Sequence, residues 1–93
     1  MTLKRYVIER DIVGIGAMSS EELCGASKTS NQALAQLAPR IQWEHSYVAD
    51  DKTFCVYLAD DDALIAEHAE RSGFPASVVT RVKRMIDPVT AEG

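Results

Sequence analysis

The sequence has few of the features that mark secreted or membrane-spanning proteins. Only two of its 93 residues are cysteines, Cys24 and Cys55, so no disulfide framework is expected and a reducing compartment fits better. No apolar run approaches the roughly 18 residues of a membrane-spanning helix. The N-terminal stretch MTLKRYVIERD is interrupted by charges where a signal peptide needs an apolar run. These absences predict a cytoplasmic protein without a membrane segment.

An excess of positive charge is also missing. The chain carries 10 Lys and Arg residues against 14 Asp and Glu residues, a formal net charge of -4. Lys and Arg supply most non-specific affinity for nucleic acids by neutralising phosphates, so this balance predicts no nucleic-acid partner. The stretch KTFCVY, residues 52–57, has the aromatic character of the RRM signature, but it lacks the glycines of that motif.

What is present is the composition of an ordinary globular protein, with 46% apolar and 26% charged residues. We expect a single domain over residues 1–93, with an ordered core from about residue 3 to about residue 88. A chain of this length buries only a thin core, so association with a second copy is favoured.

The apolar pattern predicts the order strand, helix, strand, strand, helix, strand. Residues 3–12 have strand composition, with Tyr6, Ile8 and Ile12 on one face. Ser19 stands three residues before Glu22, the spacing of a capping box, so a helix begins there; an apolar stripe continues from it until Pro39.

The second half of the chain predicts a hairpin, a shorter helix and a last strand. Residues 41–48 and 53–58 have strand composition around a turn, and residues 61–73 resemble a helix that Gly73 ends. The last strand is expected within residues 80–87, followed by a loose tail. This order predicts an α+β, ferredoxin-like fold, β-α-β-β-α-β, in which two helices cover one face of an antiparallel sheet.

The other face of that sheet is predicted to be partly apolar and uncovered. Val7, Met85 and Tyr57 are expected there. A second copy of the chain would bury this face, which predicts a homodimer resembling a dimeric α/β barrel.

The length of the hairpin turn decides which side chains share a face. A two-residue turn at Asp50 and Asp51 places Trp43, His45 and Tyr47 in the core. The polar and thiol groups that share the uncovered face with Glu9 and Asp11 are then Glu44, Ser46, Cys55 and Tyr57. A three-residue loop instead brings His45 into register with Tyr57 and places Trp43, His45, Tyr47 and Cys55 on one face. The alternation favours the two-residue turn slightly, although Asp-Asp is a poor sequence for it.

Gly14 and Gly16 lie between a predicted strand and a predicted helix, as the glycines of a GxGxxG phosphate loop do. The third position is Ser19, however, and the loop has no Lys or Arg to attract a phosphate. We interpret the segment as a flexible connection.

Two Glu-His pairs are the candidate metal ligands, Glu44-His45 and Glu67-His68. Neighbours on a strand point to opposite faces, and neighbours on a helix diverge by about 100°, so neither pair is a ready chelate. A site would combine elements or subunits, and imidazole with carboxylate suits nickel, zinc or copper. Such binding should weaken below a pH of about 6.5, where imidazole protonates.

The predicted metal ligands are chosen from these residue types. They are His45, His68, Glu9, Glu44 and Glu67. Each histidine also has an ordinary structural or surface interpretation. Cys55 is most simply a small buried apolar residue rather than a ligand.

Three segments resemble a family of short bacterial proteins, formerly a domain of unknown function, whose best-understood kind is a nickel-binding protein. They are YVIERD, WEHSYVADDKTFCVY and AEHAERSGFP, and the resemblance runs from about Tyr6 to Pro88. It implies a ferredoxin-like homodimer with nickel, Ni(II), held at the dimer surface. It further implies a role in sequestration or detoxification.

The leading interpretation is therefore a dimeric nickel-binding protein without catalysis, with other divalent transition metals as possible ions. A rival interpretation is a small-molecule enzyme of the dimeric α/β-barrel type, whose pocket on the open sheet face is lined by Glu9, Cys55 and Tyr57. A third is a stress-sensing or ligand-sensing module without chemistry. Fold alone favours none of the three.

Overall fold

The strands and helices follow one another in the predicted order in a computed structural model that describes residues 2–93. The elements are β1 (Lys4–Asp11), α1 (Ser20–Leu37), β2 (Ile41–Val48), β3 (Lys52–Ala59), α2 (Asp62–Ser72) and β4 (Val78–Arg81), with 3-10 turns at Ile15–Ala17 and Pro88–Glu92. The α+β, β-α-β-β-α-β prediction is confirmed.

The strands form a four-stranded antiparallel sheet in the order β2-β3-β1-β4. Both helices contribute to one core with the sheet, Leu34 and Leu37 from α1 and Leu64 and Ile65 from α2. The helices therefore cover the same face, which we call the helix side. The opposite face is called the open face.

The helix boundaries follow from local hydrogen bonds. Ser19 Oγ accepts from the Glu22 amide at 3.1 Å, and Glu22 Oε1 accepts from the Ser19 amide at 3.1 Å, so the predicted capping box is present. Asp61 accepts from the Leu64 amide at the start of α2. Gly73 ends that helix with a φ of 79°, a left-handed conformation that favours glycine.

The hairpin has the predicted two-residue turn, but its faces are the reverse of the prediction. Tyr47 lies opposite Phe54, yet these side chains are 64% and 36% exposed, whereas Cys55 and Tyr57 are 6% and 2% exposed. The pairing with β1 explains this, because Tyr57 lies opposite Tyr6, and directly opposed residues share a face. The predicted open-face positions of Cys55 and Tyr57 are therefore wrong.

A β-bulge at Glu44 changes the register of β2. Trp43 pairs with Tyr57, whereas His45 pairs with Val56, so Glu44 is an extra residue. Trp43 consequently packs against the core. His45 is exposed, and Glu44 bonds Arg5.

Arg5 and Val7 alternate with the buried Tyr6 and lie on the open face. Arg5 bonds Glu44, and His45 lies opposite Val56, which lies opposite Val7, so Glu44 and His45 project to the same face. The prediction that these neighbours diverge is therefore wrong, as is the prediction that His45 and Tyr47 lie in the core.

The last strand ends earlier than predicted. β4 pairs with β1 only from Val78 to Arg81, and the Val82 amide donates to the Arg5 carbonyl at 2.9 Å. The same register would place Lys83 opposite Lys4, where β1 begins, so residues after Lys83 have no partner on β1. Met85 therefore lies beyond the sheet and is 73% exposed, rather than on the open face.

The C-terminal tail is also more regular than predicted. Asp87 Oδ1 accepts from the Val89 amide at 2.9 Å, and the Asp87 amide donates to Thr90 Oγ1 at 3.0 Å. These bonds begin the 3-10 turn at Pro88–Glu92, which replaces the predicted loose tail.

The connection between β1 and α1 is hydrogen-bonded to the hairpin turn, and the prediction of a flexible connection is wrong. The Gly16 amide donates to the Asp50 carbonyl at 2.9 Å, and the Gly14 amide donates to Asp51 Oδ1 at 2.8 Å. A Cβ at position 16 would lie 2.6 Å from the Ala49 carbonyl oxygen. Only glycine permits this approach.

Gly16→Ala should therefore destabilise the protein, by about 1–3 kcal/mol, because either the turn or the connection must move. Gly25→Ala is the matched control, since an added Cβ in α1 meets nothing within 4 Å, and it should stabilise the helix by about 0.5–1 kcal/mol. Urea unfolding followed by circular dichroism measures both. Wild-type stability in Gly16→Ala would contradict the close approach.

Candidate functional site

The sheet separates the five predicted metal ligands into two groups. Glu9 alternates with the buried Ile8 and Arg10 and lies on the open face, as Glu44 and His45 do. His68 and Glu67 belong to α2, on the helix side. The two histidines thus lie on opposite sides of the sheet.

Ion pairs hold both open-face carboxylates. Arg5 donates to Glu44 through Nε at 2.8 Å and Nη2 at 3.3 Å, and this hydrogen bonding lowers the pKa of Glu44. Lys52 Nζ lies 3.2 Å from Glu9 Oε1. Exposed pairs of this kind contribute little stability, so the carboxylates can exchange partners at small cost.

His45 stands beside these pairs with few restraints. Its ring contacts Tyr47 edge to face, with centroids 5.1 Å apart, and the residue is exposed. The bulge thus presents an accessible imidazole and the Glu44 carboxylate side by side on the open face.

His68 is in a different environment, a buried polar cluster that the sequence did not reveal. We define the cluster as Arg10, Ser30, Tyr57 and His68, whose members are 3%, 6%, 2% and 1% exposed. His68 Nε2 lies 3.2 Å from Ser30 Oγ, and Nδ1 lies 3.5 Å from Arg10 Nη2. A guanidinium only donates, so Nδ1 accepts and the proton of the neutral ring lies on Nε2.

Burial sets the charge state of this cluster. It lowers the pKa of His68, and the Arg10 guanidinium lowers it further against a smaller opposing effect of the Ser30 backbone. Burial also raises the pKa of Tyr57. Arg10 is therefore the positive charge of the cluster, beside a neutral imidazole and a neutral phenol.

The cluster borders a cavity of about 90 Å³ between α1 and the helix side of the sheet. Arg10, Ser30, Trp43, Cys55 and Tyr57 are among its lining residues. One feature of the sequence indicates that Arg10 lies on the helix side, because Arg10 continues the alternation of the buried Tyr6 and Ile8. Cys55 and Tyr57 belong to this cavity, so the predicted open-face pocket that combined them with Glu9 is wrong.

Glu67 faces outward on the same helix. Arg71 Nη2 lies 2.6 Å from its Oε2, an i,i+4 pair, and Arg71 also donates to Gln36. Within residues 2–93, no three His, Cys, Asp or Glu side chains converge to form a metal site.

The burial of His68 predicts a pH-dependent stability. Because its pKa is lower in the folded chain, the unfolded chain binds the proton more readily. The His68 contribution to stability should be complete above a pH of about 6.5, the value of an unperturbed histidine. It should fall as the pH decreases from there through the lowered folded-state pKa.

Urea unfolding at about pH 7.5 and about pH 5.5, on either side of the ordinary histidine pKa, tests this. His68→Gln should lose less stability than the wild type between these conditions. His45→Gln replaces an exposed ring and should behave as the wild type does. An unchanged decrease in His68→Gln would show that other groups cause it.

Comparisons with known proteins agree with this architecture. None of the helices within residues 2–93 is both long and apolar enough to span a bilayer. The chain is similar to the crystal structure of SCO4226 from Streptomyces coelicolor A3(2), with a TM-score of 0.72 and 14% identity over 88% of this chain and 99% of that chain. No curated protein matches the sequence.

The family comparison is more informative than the structural match, which at this identity shows the fold alone. Residues 6–82 match the model of the family described as nickel responsive protein, SCO4226-like. The match spans most of the chain and confirms the resemblance seen in the sequence. The chain belongs to the family of SCO4226-like nickel responsive proteins.

Proposed function

We propose that this protein is a cytoplasmic homodimer that binds nickel, or another divalent transition metal, and sequesters it without catalysis. The observation that carries the proposal is the bulge at Glu44, which presents Glu44 and the exposed His45 on the same face in a chain of a nickel responsive family.

The donor types on the open face suit the ion. Imidazole nitrogen and carboxylate oxygen are both ligands for Ni(II). Glu44 and His45 adjoin on β2, and Glu9 lies on the same face of β1. The carboxylates are held by Arg5 and Lys52, so metal binding would exchange one cation partner for another.

A second copy of the chain is proposed to cover the open face. This face bears Val7, Phe54, Val56, Leu58 and Val78, all exposed or half-buried. An uncovered apolar patch of this kind favours association with a protein surface. In a two-fold dimer the same patch serves both copies.

The C-terminal segment supports the same assembly. Met85, Ile86 and Val89 are 73%, 77% and 68% exposed and lie beyond the end of β4. Apolar side chains on an extension of this kind are positioned to pack against a neighbouring subunit.

The primary site is placed on the open face because both ring nitrogens of His68 already face protein groups. A metal at His68 would have to displace Ser30 or Arg10. A site at His68 and Glu67 is the alternative to this placement, and the variant of His68 in the titration below tests it.

Calorimetric titration with Ni(II) should give a dissociation constant at least about tenfold higher for His45→Ala than for the wild type, since one strong donor is lost. Glu44→Gln should weaken binding less, because the amide keeps a carbonyl oxygen. His68→Gln is the matched variant on the other side of the sheet and should bind as the wild type does. Loss of binding in His68→Gln with unchanged binding in His45→Ala would move the site to α2.

Analytical ultracentrifugation tests the dimer. Val56→Asp places a charge in the middle of the open face and should convert the dimer to a monomer with unchanged circular dichroism. Ala63→Asp adds the same charge to an exposed position in the first turn of α2. A carboxylate there interacts favourably with the helix dipole, so this variant should stay dimeric. A monomeric wild type, or a dimeric Val56→Asp, would refute the assembly.

A further inference from the structure

Arg10 is a buried cation without an anionic partner in the part of the chain that the structure describes. It is 3% exposed, and none of the salt bridges formed by residues 2–93 includes it. Burying a charge is costly unless it is paired and hydrogen-bonded. In a chain with more acids than bases, the missing carboxylate is an unusual arrangement.

The hydrogen bonds of Arg10 use only part of its donor capacity. Nη1 donates to the carbonyls of Phe74 at 3.3 Å and Pro75 at 2.9 Å, and Nη2 lies 3.5 Å from His68 Nδ1. A guanidinium has five N–H groups. Nε makes no hydrogen bond to residues 2–93, so the group retains donors for a further acceptor.

The cavity beside Arg10 has the character of an anion site. Its volume of about 90 Å³ is several times what one water molecule requires. Hydroxyl groups of Ser27, Ser30, Thr53 and Tyr57 line it, and no acidic residue of the described chain does. Among residues 2–93, Arg10 supplies the only formal charge of the lining at neutral pH.

The rest of the lining is apolar. Ile15 and Leu23 line it, and the Trp43 ring is inclined by only 16° to that of Tyr57, with centroids 6.4 Å apart. Pockets of this type hold small organic molecules, with a few polar groups that orient them.

We propose that this cavity binds a small organic carboxylate, whose charged group pairs with Arg10 and whose apolar part contacts Trp43, Ile15 and Leu23. A carboxylate accepts two parallel N–H groups from a guanidinium, the geometry that makes such pairs strong. The site lies on the helix side of the sheet, so it is distinct from the proposed metal site on the open face.

The single tryptophan of the chain, Trp43, lines the cavity and reports its occupancy by fluorescence. Full-length wild-type protein is titrated with butyrate and benzoate, and with butyramide and benzamide as neutral probes of matching shape. A saturable change with the carboxylates, at least about tenfold tighter than with the amides, is expected from the charge-assisted pair. Equal responses, or none, would overturn the proposal.

Two variants separate an anion site from a purely structural arginine. Arg10→Met should raise the dissociation constant for butyrate at least about tenfold, whereas Arg40→Met, which removes an exposed arginine, should not change it. Unchanged butyrate binding in Arg10→Met would overturn the proposal, because Arg10 would then only hold the loop after α2 by hydrogen bonds.

A third variant covers the case in which Arg10→Met does not fold. Ala26→Leu fills the cavity from α1 and keeps Arg10. It should abolish the saturable response while the protein stays folded by circular dichroism. Persistent binding in Ala26→Leu would place the ligand elsewhere and overturn the proposal.

Discussion

The pairing of β1 with β3 determines what each side of this protein presents. Tyr6 lies opposite Tyr57 and Ile8 lies opposite Cys55, and these four residues belong to the core. Because side chains alternate along a strand, this register also places every intervening residue on the open face. The open apolar patch and the buried position of Arg10 are both consequences of it.

The bulge at Glu44 then modifies one edge of the sheet without disturbing the centre. Before it, Trp43 packs on the helix side against Tyr57, and after it, His45 lies on the open face. A regular strand would put Glu44 on the opposite face from His45. One extra residue thus both completes the cavity wall with Trp43 and brings an imidazole and a carboxylate together.

The sequence predicted the order of elements because its signals there are local. Ser19 with Glu22 marks a helix start and Gly73 a helix end, and both depend only on neighbouring residues. The hairpin faces could not be predicted in this way, because Phe54, Val56 and Leu58 are as apolar as the residues that are buried. Burial there is decided by β1, which is distant in sequence, and the same holds for the end of β4.

The sheet also keeps the two proposed sites electrically different. On the open face, carboxylates are held by exposed cations, and such pairs are weak because water screens them. On the helix side, Arg10 lies among neutral groups away from water, where each charge interaction is stronger. A cation is thus favoured where carboxylates can exchange partners, and an anion where a fixed positive charge has no counter-ion. The two preferences arise from one chain because a single layer of β-structure separates the open face from the core.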